Sequence, residues 1–196
     1  PPRSTLFPYT TLFRSKELDR LLRTLHPARE RAARWRKIAN GVDYGAHAYY
    51  FAGMAGFEAG EYETAAGDFA AALECAPDAA YTRGFLGWAL LRQGQYARAI
   101  EELDRTLEAA PDAEIFRAPA VEARVALAAA QCDAGDTAGA VALIETAGEL
   151  PFACHAAAVR IYLAHMRNLE AHDDRAGAVA VIEKALTFAA NDYAVC

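Results

Sequence analysis

Cysteine is scarce and scattered. The four residues, Cys75, Cys132, Cys154 and Cys196, lie far apart and form no CxxC pair. Such spacing argues for buried free thiols in a reducing, cytoplasmic setting. No apolar run approaches the roughly 18–20 residues that span a bilayer. A glycine loop able to cradle phosphate is missing, as are HExxH and GxSxG. No cofactor and no catalytic centre is therefore expected. Cys154, His155, His165 and His172 are the best metal candidates, but they lack the short ligand spacings of tetrahedral zinc sites, and no metal is expected either. The acidic pairs Asp173-Asp174 and Glu101-Glu102 read as helix-start or surface charge.

Charge is unevenly spread. Residues 16–40 hold eight Lys/Arg and three acids, a net +5, whereas residues 41–196 hold ten Lys/Arg and twenty-three acids, a net −13. An acidic body is a poor match for nucleic acid. The basic stretch could touch phosphate or an anionic membrane. The preferred reading is a solvated helix face that packs against the acidic residues following it.

Residues 1–15, PPRSTLFPYTTLFRS, resemble the in-frame translation of an adapter oligonucleotide used in short-read sequencing. The echo of Thr5-Leu6-Phe7 in Thr11-Leu12-Phe13 follows from a repeat in that oligonucleotide. These residues are expected to be foreign to the native chain, like other processing scars, and a leader, an anchor or an upstream domain is expected to have been lost with the true start.

Helical patterning begins next. Leu18, Leu21, Leu22 and Leu25 recur at i, i+3, i+4 and i+7, one face of a helix. Pro27 suits the first turn of a second helix and Asn40-Gly41 its end. Ala28, Ala32, Trp35 and Ala39 line one side of it.

The chain then repeats itself at a shift of 34 residues. Gly53 matches Gly87, Gly60 matches Gly94, Tyr62 matches Tyr96, Ala65 matches Ala99, Pro77 matches Pro111 and Asp78 matches Asp112. A period of about 34 residues marks stacked helix–turn–helix units that bury their apolar faces against neighbours. Tyr49, Ala52, Gly53, Gly56, Ala65, Phe69 and Pro77 spell the pattern W-x2-L-G-x2-Y…A-x3-F…P once. Arg83, Leu86, Gly87, Leu90, Ala99, Leu103 and Pro111 spell it again. On these residues the chain resembles the tetratricopeptide repeat (TPR) family over residues 46–191. The units are expected at 46–79, 80–113, 121–151 and 159–191. The third follows an insertion of about seven residues around Pro119, where a loop or a broken helix start is expected. The fourth is degenerate, as a terminal cap would be.

The resemblance implies an all-α fold, a right-handed α-solenoid of three to four helix pairs, preceded by a helical arm at 16–41. It also implies that the first helix of each pair lines a concave binding face. Counting the helical period from the glycines places Tyr50, Met54 and Phe57 on that face, with Tyr81, Trp88, Leu91 and Arg92 from the second unit. His47, Glu58 and Gly84 share it, as do Val125 and its neighbours further on. Aromatics and Met are what interface cores favour. The same side chains could instead pack on the N-terminal helices or on one another. Some family members clamp a peptide carboxylate with Lys and Asn, but Tyr50 and Met54 stand in those places here. A non-enzymatic module that docks a peptide or helix of a protein partner is the expected function. A regulatory segment of a larger enzyme or signalling protein is the alternative.

Overall fold

Helix formation follows the small residues. A computed structural model describes residues 7–40 and 45–193, with side chains for 15–40 and 45–187. Residues 1–6, Gly41 and Cys196 lie outside the described residues. Ten α-helices and no strand are present among the described residues: α1 (Phe7–Leu25), α2 (Ala28–Ala39), α3 (Gly45–Glu58), α4 (Tyr62–Cys75), α5 (Ala80–Arg92), α6 (Tyr96–Ala109), α7 (Arg117–Asp133), α8 (Thr137–Thr146), α9 (Phe152–Ala171) and α10 (Arg175–Tyr193). The class is all-α, with helices stacked as TPR-type pairs. None of the described helices is long and apolar enough to cross a membrane. The chain divides into two compact units, Pro1–Ala113 and Glu114–Cys196.

In the first unit, close approach within a pair is set by two glycines. A Cβ on Gly53 would lie 2.6 Å from the Phe69 ring, and one on Gly87 would lie 2.7 Å from Leu103 Cγ. Ala65, Phe69, Ala99 and Leu103 are all 0% exposed, so nothing there can yield cheaply. Gly60 and Gly94, each at φ +76°, turn the chain between the paired helices.

The basic stretch is more than an arm. The residues preceding α2, α4 and α6 are Pro27, Glu61 and Gln95, each 34 apart. Trp35, Phe69 and Leu103 share that register, as do Asp19, Gly53 and Gly87. α1 and α2 thus form an earlier pair on the same period. Trp35 is 2% exposed and stacks on Phe51 at 5.0 Å. With Ala39 it packs on Ala48, Phe51 and Ala52 of α3. α1 begins at Phe7, inside the segment expected to be foreign. Of its leucine stripe only Leu22 reaches this cluster, while Leu18, Leu21 and Leu25 are exposed.

The cations of α2 point back at the acids of α3 and α4. Arg29 pairs with Glu61, Arg31 with Glu58, and Arg36 binds Asp68 through both carboxylate oxygens at 2.8–3.0 Å.

The second unit starts differently. A short 3-10 turn, Glu114–Phe116, precedes α7, and Pro119 sits buried in the first turn of that helix, where a missing N–H is harmless. Its core joins Val125, Ala128, Ile144, Ile161 and Tyr162. Asp136 and Asp174 cap α8 and α10, each accepting from the backbone N–H three residues on at 2.9 Å. Asp173, at φ 61°, holds the turn position that Gly60, Gly94 and Gly135 take in three of the other pairs. The thiols were expected to be buried. Cys154 is, but Cys132 is half-buried and Cys75, the last residue of α4, is exposed.

Candidate functional site

The α3 and α5 helices of the first unit carry the candidate face. On α3, Tyr50, Met54 and Phe57 are all partly exposed along one stripe. The glycine and alanine side of the helix is turned to α4. On α5 the exposed stripe is Tyr81, Phe85, Trp88 and Arg92.

These rings form one continuous row across three helices. Tyr62 meets Phe57 at 5.2 Å, Phe57 meets Trp88 at 5.4 Å, and Trp88 lies parallel to Phe85 at 6.3 Å. Phe85 in turn lies 6.1 Å from Tyr50. Tyr50 and Phe85 also rest on the buried Phe69, at 6.1 and 5.9 Å. Most are edge-to-face or offset pairs, the favoured arrangements for aromatic quadrupoles. The row is thus half floor and half surface. Its inner edges pack on the core and its outer edges meet solvent. Trp88 Nε1 is buried without an acceptor, a donor left unpaired in a mostly apolar setting.

Three expected positions are corrected. Leu91 is 5% exposed and Gly84 is buried, so both belong to the packed side of α5. The face is rotated by about one residue, and Phe85 takes the place assigned to Gly84. Val125 of the second unit is likewise buried, at 5% exposure. Tyr50, Met54, Phe57 and Trp88 are brought together, with Tyr81 and Arg92 at the two ends of the α5 stripe.

One side of this face is occupied from within. Leu22 of α1 and Tyr50 of α3 both pack against the cluster of Trp35, Ala39, Ala48, Phe51 and Ala52. Arg23 binds Asp19 at 2.7 Å and Glu58 at 2.6 Å. Burial raises the Tyr50 phenol above its ordinary value, and the Asp19 charge adds to the rise while Arg23 opposes it. Glu58 is thus held by α1, and the Tyr50 phenol lies within reach of the Asp19 and Arg23 charges of that helix.

The metal candidates are dispersed. His165 Nδ1 lies 3.0 Å from the Thr137 hydroxyl, His172 Nδ1 donates to Asn168 O at 2.8 Å, and His155 Nε2 donates to Leu150 O at 3.1 Å. Burial pushes the Cys154 thiol up, away from the thiolate a metal would need. No group of three His, Cys, Asp or Glu is placed to hold a metal among the described residues.

Paired helices, close glycine contacts and a 34-residue register agree with a sequence match to the tetratricopeptide repeat family over residues 57–120. Residues 57–120 are a TPR segment. Solved TPR-type structures have the same fold at low identity. MamA residues 41-end from Desulfovibrio magneticus RS-1 is 18% identical, with a TM-score of 0.55, covering 92% of this chain and 96% of that one. MamA AMB-1 is 16% identical, with a TM-score of 0.56 and coverage of 90% and 98%. YrrB, described as a TPR protein with an unusual peptide-binding site, is 19% identical, with a TM-score of 0.51 and coverage of 89% and 84%. No curated protein matches the chain. The TPR segment includes Phe57, Tyr81, Phe85, Trp88 and Arg92, so most of the aromatic row lies inside the matched region.

Proposed function

We propose that the protein is a non-enzymatic interaction module that docks a peptide or helix of a partner protein on the α3–α5 face. The observation that carries this reading is the aromatic row from Phe57 through Trp88 and Phe85 to Tyr50, partly exposed on adjacent first helices. A preformed strip of rigid rings loses little conformational entropy on binding, which is why such residues dominate interfaces. YrrB, with the same fold, is a peptide binder by its description, which favours a peptide here too. Three of the five cations of α2, Arg29, Arg31 and Arg36, are engaged by Glu61, Glu58 and Asp68, which lowers the positive charge left for phosphate or an anionic membrane.

Selection from a displayed peptide library tests the face. Trp88→Ala and Tyr81→Ala should each weaken a selected ligand by roughly tenfold or more, about 1.4 kcal/mol, with helicity by circular dichroism unchanged. Ligands that bind both variants as tightly as the parent chain would place the site elsewhere.

A further inference from the structure

The aromatic row has a cationic flank. Within the first unit α3 is touched by α5 and also by α1. The Trp35–Asp19 hydrogen bond turns Asp19 toward α2. Gly53 is turned to Phe69 of α4 in the same register, and Gly87 to Leu103 of α6. These three marker residues give α1, α3 and α5 a common rotation. At three before, one after and four after its marker, α3 carries Tyr50, Met54 and Phe57. At the same offsets α1 carries Lys16, Arg20 and Arg23, all exposed. Arg92 is exposed at one end of the α5 stripe.

Charge is segregated between the first and second helices here. α4 has three acids and no Lys or Arg, and α6 has four acids against two arginines. The acids nearest the flank are Glu17 and Glu58. Glu58 is taken by Arg23 and Arg31, and Arg23 is also tied to Asp19. Glu17 binds Arg20 at 3.0 Å, but the two side chains are 47% and 76% exposed. Such a surface pair contributes little and gives way to a competing carboxylate. Lys16 and Arg20 are therefore the cations a ligand on the row can reach.

We infer that the docked segment is an apolar peptide with an acidic flank. Its aromatic or long aliphatic side chains lie on the rings of Tyr50, Phe57 and Trp88, and an Asp or Glu side chain reaches Lys16 and Arg20. This rests on the peptide-docking reading above and names the chemistry of its ligand. Neighbouring helices lie about 10 Å apart, which an extended chain spans in about three residues. The acid thus falls about three residues from the nearest apolar anchor. The rings supply most of the affinity, while the charge pair sets the orientation of the segment and speeds encounter. The acidic surfaces of α4 and α6 repel the same segment and leave the row as its place to dock.

Peptides selected on the full chain from a displayed random library test it. They are resynthesised with acetylated and amidated ends, so that only side chains carry charge, and titrated by fluorescence polarisation. Selected sequences should hold Asp or Glu about three residues from an aromatic or aliphatic anchor. Changing that acid to Asn or Gln should weaken binding about tenfold or more, as should Lys16→Gln combined with Arg20→Gln in the protein. A peptide with Lys in place of the acid should bind the parent chain poorly and regain affinity for the Lys16→Glu, Arg20→Glu chain. A merely loosened α1 would not give that exchange. Peptides that need Trp88 but no acid, and bind the Gln variant like the parent, overturn the acidic flank and leave the docking face standing. So does binding that requires a free peptide C-terminus instead of an acidic side chain. A library that yields no ligand, or only ligands indifferent to Trp88, removes both.

Discussion

The indole N–H of Trp35 donates to Asp19 Oδ1 at 3.1 Å, in the same register where Gly53 meets Phe69 and Gly87 meets Leu103. A hydrogen bond stands where later pairs have bare backbone contact. Asp19 has a side chain, so α1 cannot close on Trp35 as α3 closes on Phe69, and it is held by polar contacts instead.

Asp19→Ala should therefore cost about 1–3 kcal/mol, because Trp35 is buried and its N–H would lose its acceptor. Asp19→Asn keeps an acceptor oxygen and should cost clearly less. Urea unfolding followed by circular dichroism reads the difference. Equal stability of all three chains would show that the bond holds nothing in place.

Two glycine substitutions should move stability in opposite directions. Gly53→Ala drives a methyl group into the Phe69 ring and should cost about 1–3 kcal/mol. Gly67→Ala, within α4 and with nothing within 4 Å of the added Cβ, should gain about 0.5–1 kcal/mol. The same unfolding measurement checks both.

The α2 cations should divide by burial. Arg36→Ala strands the Asp68 carboxylate, which is 7% exposed, and should cost about 3 kcal/mol. Arg29 has its side chain 82% exposed, so Arg29→Ala should stay within about 0.5 kcal/mol despite its pairing with Glu61. Melting temperatures at low and high salt separate them, with only the Arg29 effect fading as salt rises.

Alkaline pH should weaken the fold through Tyr50. Burial, then the Asp19 charge, raises its phenol above the ordinary value of about 10. Between that value and the folded one, the unfolded chain releases the proton and the native chain keeps it. Stability is thus unaffected by this group below about pH 10 and falls as pH rises above it. Tyr50→Phe should flatten that alkaline limb in urea titrations at pH 9 to 11.5. An unchanged slope would mean that Tyr50 titrates alike in both states.

The paired glycines, alanines and prolines of residues 46–113 made the helix pairs legible, since each has a steric job that few other residues do. The earlier pair at α1 and α2 was hidden for the same reason. Asp19 stands in the glycine position and His26 where Gly60 and Gly94 turn the chain, so the pattern lost its markers although the register persisted. The partly exposed stripe was legible on α3 but off by about one residue on α5. Neighbouring positions differ by about 100° around a helix, and a count along one helix cannot tell which of Gly84 and Phe85 the adjacent helices will cover.

What the sequence determined by itself was local and periodic: helices, their pairing and the spacing of 34, because these follow from turn geometry and from residues too small to substitute. What only the tertiary structure decided was which side chains the pairs leave open. Leu91 is closed in and Phe85 is not. Glu58 is claimed by Arg23 and Arg31. Leu18, Leu21, Val179 and Leu186 have the composition of core and lie at the surface. Burial depends on which neighbour stacks where, and in a repeat array that neighbour is supplied by the next pair rather than by the residue's own helix.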